Sequence, residues 1–305
     1  MPVTVVGSIA FDTVKTPFGE RERMLGGAAV HFALSASFFD RVRVVGPVGD
    51  DFGEAELDVL RGRGVDVSDV ERVTGGKTFF WRGEYGWDLN SRETLDTQLG
   101  VFEGFAPKLS SESCASDVLF LANIQPDLQR EVRAQLPDAS FVALDSMNLW
   151  IDIARDSLVA AIESVDCVIL NDAELRQLTG KPNLFSAARE VLSWGGPSVI
   201  VAKQGEYGAA LITREHFFSL PAYPLESVID PTGAGDTFAG GFVGYIAAHL
   251  DGDGVSDELL RAAMAHGTAL ASFNVEEFGT ERVVRLTDAE IAARVQSLRE
   301  ITRFS

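Results

Sequence analysis

Residues 230–242 read Asp-Pro-Thr-Gly-Ala-Gly-Asp-Thr-Phe-Ala-Gly-Gly-Phe, a glycine-bearing turn that runs straight into an apolar helix with one carboxylate, Asp236, at its mouth. N–H groups at a helix start have no intrahelical partner and share the positive end of the helix dipole, so they bind phosphate oxygens. Gly233, Ala234 and Gly235 leave room for that approach. A carboxylate facing the same phosphate would weaken a plain anion turn, which marks Asp236 as a group that takes a proton from an attacking hydroxyl. For one isolated Gly-x-Gly-Asp the ordinary alternative is an acidic N-cap after a turn. The rest of the chain decides between them.

Working outward, apolar runs of four to six residues alternate with amphipathic stretches, the pattern of βαβ units around a largely parallel sheet. Strands are expected at Val3–Val6, Val42–Val45, Val118–Ala122, Phe141–Leu144, Cys167–Leu170 and Val199–Ala202. Helical patterns lie at Ala28–Phe39, Phe52–Arg61, Leu128–Leu136, Ser157–Val165, Glu174–Leu178 and Ser186–Trp194. Gly208–Phe218 reads as a late antiparallel strand or hairpin. Three helices close the chain, one after Asp236, one over Asp257–Asn274 with Ser256 at its start, and one over Asp288–Ile301. Residues 11–24 and roughly 74–102 break the alternation with aromatic, charged and turn-forming residues, Thr78–Arg82 being strand-like. They are expected to fold together outside the main sheet as a lid over the crevice, with an edge used for dimer contact as the competing reading. No internal repeat or low-complexity linker separates a second domain, so residues 1–305 are read as a single α/β domain with a small β-sheet lid.

Composition excludes several classes. A net charge of −19 argues against nucleic-acid binding, which needs a basic footprint. No apolar run approaches the roughly 20 residues needed to span a bilayer, and the N-terminus enters a strand without a charged-then-apolar leader, so a cytoplasmic protein is expected. Only five of the 26 basic residues are Lys, and with the acidity this suggests a salt-rich cytoplasm, where self-repulsion is screened. Cys114 and Cys167 match no metal spacing and are expected as buried free thiols.

In open α/β sheets ligands bind beyond the carboxyl ends of the strands, and polar residues gather there: Ser8 and Asp12, Asn123, Asp145 and Asn148, Asn171 with Glu174, Lys203-Gln-Gly205, and Asp230. Other nucleotide motifs fail. Gly76-Lys-Thr78 has the tail of a P-loop but Glu71 where its first glycine belongs, and the turn at 233 has Phe238 where a dinucleotide fingerprint needs glycine. Asp251-Gly-Asp-Gly254 begins like a calcium loop, yet Val255 stands where an oxygen ligand is needed, so a solvated turn between helices is expected. The four histidines, His31, His216, His249 and His266, show no metal spacing.

Taken together, these residues resemble the ribokinase (PfkB-type) family of sugar and nucleoside kinases over essentially the whole chain. Asp230-Pro-Thr-Gly-Ala-Gly-Asp-Thr-Phe is similar to the family's C-terminal signature, and Gly26-Gly-Ala-Ala-Val-His31 to its N-terminal di-glycine signature. Asn171-Asp-Ala-Glu174 and Lys203-Gln-Gly-Glu-Tyr-Gly208 are similar to the segments that attend the metal and nucleotide. The resemblance implies a ribokinase-like three-layer sandwich around a mostly parallel sheet, with Asp236 as general base and the amides of Gly233, Ala234 and Gly235 as the anion hole. It also implies acceptor contacts from Asp12, Gly26, Gly27, His31 and Asn123, and nucleotide contacts from Asn171, Glu174, Lys203, Gly205 and Gly208. Glu174 would act on Mg²⁺ through its water shell. Asp230 and Thr232 stand where some members bind a monovalent cation such as K⁺, with further ligands from the Ser272–Thr280 loop.

The family usually carries Asn at the position of His31, so the acceptor is expected to be recognised differently from ribose. Asp145-Ser-Met-Asn148-Leu-Trp150 lacks the Arg that some sugar-acid kinases place there, which counts against an acidic sugar. The lid aromatics Phe79, Phe80, Trp81, Tyr85 and Trp87 suit a nucleobase or simply pack on one another. The implied function is ATP- and Mg²⁺-dependent phosphorylation of a hydroxymethyl group on a small nucleoside or sugar, with a homodimer through the lid as an added expectation. Two alternatives stand beside it: a sugar-phosphate kinase using Arg21, Arg23, Arg82 and Arg92, and a non-catalytic ligand-binding relative.

Overall fold

The computed structural model describes residues 1–251 and 254–303. Strand β1 (Val3–Val6) is buried along its whole length, as a strand with helices on both faces must be. The chain then leaves the main sheet for β2 (Ala10–Thr16) and β3 (Gly19–Gly26). It returns through α1 (Ala28–Ala36), β4 (Val42–Val48), α2 (Glu54–Gly62) and β5 (Val70–Arg72). A second excursion gives β6 (Phe79–Tyr85) and β7 (Arg92–Gln98). From there α3 (Ser111–Cys114), β8 (Val118–Leu121), α4 (Pro126–Gln135) and β9 (Phe141–Asp145) follow. Next come α5 (Asn148–Ile153), α6 (Arg155–Ile162), β10 (Cys167–Asn171), α7 (Asp172–Thr179), α8 (Leu184–Ser193) and β11 (Val199–Lys203). The hairpin β12 (Ala209–Thr213) and β13 (Phe217–Leu220) precedes α9 (Ala234–His249), α10 (Asp257–Asn274), α11 (Glu281–Val284) and α12 (Asp288–Ile301).

The main sheet has nine strands in the order β13-β12-β11-β10-β9-β8-β1-β4-β5. The seven from β11 to β5 are parallel, and the β12–β13 hairpin closes one edge antiparallel. Side chains alternate between two cores, as the period of two requires. Phe120, Ile169 and Val201 pack with α1, α2, α9 and α10 on one face. Leu119, Leu121, Val168 and Ile200 pack with α4, α6, α7 and α8 on the other. The result is the expected three-layer sandwich. Because β1 is flanked by β4 on one side and β8 on the other, the winding reverses there and opens a crevice at the strands' carboxyl ends.

The two inserts form one separate four-stranded sheet, β3-β2-β6-β7. Its centre is a parallel pairing of β2 with β6, Ala10 opposite Phe79 through to Lys15 opposite Glu84. The lid starts at Ala10 and runs to Gly26, slightly beyond the expected 11–24, because β2 and β3 carry their pairing down to the sheet.

Other expectations are corrected. Helix α1 ends at Ala36, and α2 begins at Glu54, where the Glu56 carboxylate accepts from the Gly53 N–H at 2.9 Å. Phe52 is left out of that helix to plug the core against Phe11. Cys167 is buried, but Cys114 is exposed, since the short α3 turns it outward. Ser272–Asn274 is the last turn of α10, so the loop expected from Ser272 starts only at Val275. Short α11 and β5 were not foreseen. Of the Asp251–Gly254 run, Gly252 and Asp253 lie outside the described residues. No helix among the described residues is long and apolar enough to cross a membrane.

Candidate active site

The foot of α9 is set by Gly233. Its φ is +73°, a left-handed conformation, and a Cβ there would lie 2.3–2.4 Å from three atoms of the His31 ring. Glycine is required twice over. The Thr237 N–H donates to Gly233 O at 2.8 Å and starts the helix, while the Ala234 N–H closes the turn on Pro231 O at 3.2 Å. Among the described residues, the N–H groups of Gly233, Gly235 and Asp236 have no carbonyl partner. The free donors at the mouth of this 16-residue helix are therefore the N–H groups of Gly233, Gly235 and Asp236, whereas that of Ala234 serves the turn. Asp236 stands half-buried on the first turn.

Two further carboxylates, Asp145 and Glu174, and one cation, Lys203, meet beside it. Lys203, at the end of β11, donates to Asp145 Oδ2 at 2.8 Å, with both side chains largely buried. A Cβ on Gly235 would sit 3.0 Å from Lys203 Nζ, so the ammonium lies against the glycine turn. Asn171 and Glu174 cap α7 reciprocally: the Glu174 N–H donates to Asn171 Oδ1 and the Asn171 N–H to Glu174 Oε2, each at 2.8 Å. Burial first, then Asp145, pushes the Asp236 carboxyl up to about 7 against the opposing pull of Lys203 and Arg92. Glu174 is likewise raised to about 7 by burial, opposed by Lys203 and reinforced by Asp145. For Lys203 burial favours the neutral form, but Asp145, Glu174 and Asp236 outweigh it and raise its pKa. The cluster is thus a set of crowded acids around a lysine that stays charged.

On the lid side, Asp12 is buried and pushed up to about 7 by burial and by Asp230, with Asp236 adding to the effect. It accepts from the Gly27 N–H, and a Cβ on Gly26 would lie 2.0 Å from its Oδ2. The di-glycine therefore makes room for this carboxylate, and Gly27, at φ +96°, is the N-cap of α1. Ser8, read as a strand-end polar residue, is spent on structure: its Oγ accepts from the Ala28 N–H at 3.0 Å. Asn123 accepts from Trp150 Nε1 at 3.0 Å, which ties it to α5.

His31 lies beneath the glycine turn, 2% exposed. Asn274 Nδ2 donates to Thr232 O at 2.8 Å, and Asn274 Oδ1 accepts from Thr237 Oγ1 at 3.0 Å. His31 Nδ1 is 3.2 Å from that same Oδ1, so Nδ1 carries the imidazole proton and Nε2 is a bare, buried acceptor without a partner among the described residues. Burial lowers the His31 pKa to about 4, opposed by Asn274, and the ring stays neutral. Asp230 is fully buried; its Oδ1 accepts from the Thr232 N–H at 2.9 Å and its Oδ2 from the Gly279 N–H at 3.0 Å. Thr232 Oγ1 donates to Tyr85 OH of the lid at 3.2 Å.

On the opposite side of the turn is a cavity of about 480 Å³. Lys203, Ala234 and Gly235 stand at one end, Gly205 and Gly208 on a wall, and Tyr223, Phe238 and Val275 supply apolar surface. Both wall glycines have positive φ.

The sequence reading placed Asp145 among the strand-end polar residues, Tyr85 among the lid aromatics and Arg92 in the sugar-phosphate alternative, and gave Asn274 no role of its own. Asp145 was visible as a strand-end carboxylate, but only the fold shows that it holds Lys203. That Asn274 and Tyr85 both act on Thr232 carries no local signal, since the contacts run across the chain. Unpaired N–H groups, a carboxylate at their edge and a fixed ammonium beside a cavity are together suited to moving a phosphoryl group onto a hydroxyl.

Comparison with known proteins agrees. Residues 90–285 match the pfkB family of carbohydrate kinases. A cytidine kinase of Thermococcus kodakarensis is 31% identical over 252 residues, covering 80% of this chain and 88% of the relative. A deoxyribokinase of Salmonella typhi is 35% identical over 270 residues, covering 84% and 83%. The solved nucleoside kinase of Methanocaldococcus jannaschii, an archaeal member of the ribokinase family, shares the fold with a TM-score of 0.80 at 19% identity, covering 97% of this chain and 98% of that one. The chain belongs to the pfkB carbohydrate kinase family and is an ATP-dependent kinase.

Proposed function

We propose that this kinase phosphorylates a hydroxymethyl group of a small nucleoside or sugar, with Asp236 as general base. The observation that carries the reading is the position of Asp236, between the cavity that suits a nucleotide and the buried carboxylate Asp12 on the lid side. The free amides of Gly233 and Gly235 take up charge on the transferred group, and Lys203 steadies the nucleotide end. With a pKa near 7, Asp236 is matched to accepting a hydroxyl proton near neutral pH.

Asp145, Glu174 and Asp236 outnumber Lys203, and this residual negative charge fits Mg²⁺. Among the described residues no group of three or more His, Cys, Asp or Glu is arranged to hold a metal directly, so Mg²⁺ would be held through nucleotide phosphates and water, with Glu174 facing its shell. Bound there, it neutralises phosphate charge. Asp230 and Thr232 remain the proposed place for a monovalent cation; turnover in K⁺ compared with Na⁺ tests that.

A nucleoside is favoured over a bare sugar. Val14, Tyr85 and Phe278, with Trp81, Met24, Leu89 and Ile229 beside them, form an apolar cluster between lid and core, and the strand register sets Trp81 beside Asp12. The partly exposed Trp81 at its edge offers an aromatic face to a base, and Asp12 would take ribose hydroxyls. The names of relatives, a cytidine kinase among them, point the same way. Three of the four arginines of the sugar-phosphate reading are engaged elsewhere, Arg82 with Glu20, Arg23 with Asp51 and Arg21 over Phe278, whereas Arg92 lies over Trp81 and acts on Asp12 and Asp236, so that reading rests on Arg92. ADP release from Mg·ATP across nucleosides, pentoses, hexoses and their phosphates is the test. Response to a nucleoside supports the reading, and response only to sugar phosphates overturns it.

A further inference from the structure

The turn that joins β6 to β7 extends past the acceptor side of the lid and ends in the wall of the large cavity, where Asp88, Leu89 and Asn90 face Gly205 and Glu206. Asn90 Nδ2 donates to Glu206 Oε1 at 3.1 Å. This is the same Gly205–Tyr207 turn that leads out of β11 and its Lys203. One hairpin therefore touches both sides of the reaction: at its base β6 pairs with β2, Trp81 opposite Asp12, and at its tip it borders the cavity.

The tip is shaped by its own chain. The Asp88 carboxylate accepts from the N–H groups of Asn90 and Ser91, each at 3.1 Å, and from Ser91 Oγ at 3.3 Å. The Gly86 N–H donates to Ser91 O at 2.9 Å and the Leu89 N–H to Gly86 O at 3.0 Å. Leu89 sits at φ +56°, a region that a branched side chain enters only when its surroundings hold it. Here Leu89 packs on the Val14–Tyr85–Phe278 cluster, and Tyr85 below it is joined to Thr232 of the glycine turn.

We propose that the Asp88–Asn90 turn of the lid is a nucleotide-binding element, through which nucleotide and acceptor occupancy are coupled. The inference rests on reading the cavity as the nucleotide site. A wall that exists only with the lid down gives the nucleotide a higher affinity for the closed state, so nucleotide binding favours closure. By linkage, an acceptor that draws the lid down tightens the nucleotide by the same factor.

The test is equilibrium titration of MgADP into wild type, Asn90→Ala, Leu89→Gly, Glu206→Ala and the Asn90→Ala/Glu206→Ala double variant, with Arg82→Ala on the lid's other face as control. We expect Asn90→Ala and Leu89→Gly each to weaken MgADP by about 3- to 10-fold, the range of one lost hydrogen bond or contact. The double variant should lose no more than the worse single one, because both remove one interaction. Arg82→Ala should bind as wild type. MgADP affinity unchanged in both Asn90→Ala and Leu89→Gly, with melting temperatures also unchanged, overturns the lid inference alone. Wild type that fails to bind MgADP overturns the nucleotide reading of the cavity, and the inference falls with it.

Discussion

The floor and the roof of the crevice are built by opposite means. The floor is the glycine turn and the foot of α9, where the polar side chains beneath the free amides are held: Asp230 by two amides, Asn274 by three partners, Lys203 by Asp145. The roof is a thin sheet whose outer strand β7 is almost wholly exposed and whose charges pair on the surface, Lys15 with Glu84 and Arg82 with Glu20. It joins the floor at a few points, chiefly Tyr85 to Thr232 and Asn90 to Glu206. Buried, fully partnered polar groups are costly to disturb, whereas exposed pairs contribute little. Substitutions in the floor should therefore act on turnover, and those in the roof on binding.

The largest effect tests the floor directly. Asp236→Asn should lower kcat by about 10²- to 10⁴-fold, the usual contribution of a general base, while MgADP binding is retained. A near-normal kcat would remove the role assigned to Asp236. The same variant should melt higher than wild type at pH 8. A carboxyl whose pKa rises on folding binds its proton more tightly when folded, so it favours the folded state at low pH and loses that advantage between about 4 and 7. Removing the charge removes the loss.

Next comes pH itself. With Asp236, the proposed base, pushed up to about 7, kcat/KM should fall about tenfold per unit below that value and level off above it. A flat profile between pH 5 and 7 would show that no group of this cluster acts as base. Gly233→Ala follows, because it meets both the positive φ and the His31 ring. The backbone strain alone is about 1–2 kcal/mol, and turnover should drop by about 10-fold or more with a matching loss of melting temperature. Adding His31→Ala should recover part of that loss, since it relieves the contact but not the φ.

The roof should answer more softly. Tyr85→Phe, which removes the hydrogen bond to Thr232, should raise the acceptor KM by about 2- to 10-fold with kcat little changed. Arg82→Ala should change stability and turnover by less than about 0.5 kcal/mol, as exposed ion pairs do. A larger loss in Arg82→Ala than in Tyr85→Phe would reverse the comparison.

The same contrast explains what could be read from the sequence. The parallel sheet was legible because each strand between two helical layers must be a short apolar run, as Val118–Leu121 and Cys167–Asn171 are. The glycine turn was legible because anion contact, positive φ and helix start all depend on neighbours in sequence. Asn274 was not, because its three partners, His31, Thr232 and Thr237, lie on other elements and no local pattern requires an amide there. His31 was read as facing the acceptor for the same reason: its place beside the di-glycine is local information, and its burial under Gly233 is not. The lid segments were recognisable as a break in the alternation, yet the parallel pairing of β2 with β6 joins residues about 70 apart, and nothing in either segment names its partner.

Helix α9 is wedged between α1 and α10, and all its residues from Thr237 to Gly244 are buried. Its amides should exchange with solvent deuterium only through global unfolding, while those of the exposed β7 exchange by local opening. Asp236, on the first turn of this helix, thus shares the rigidity of the core.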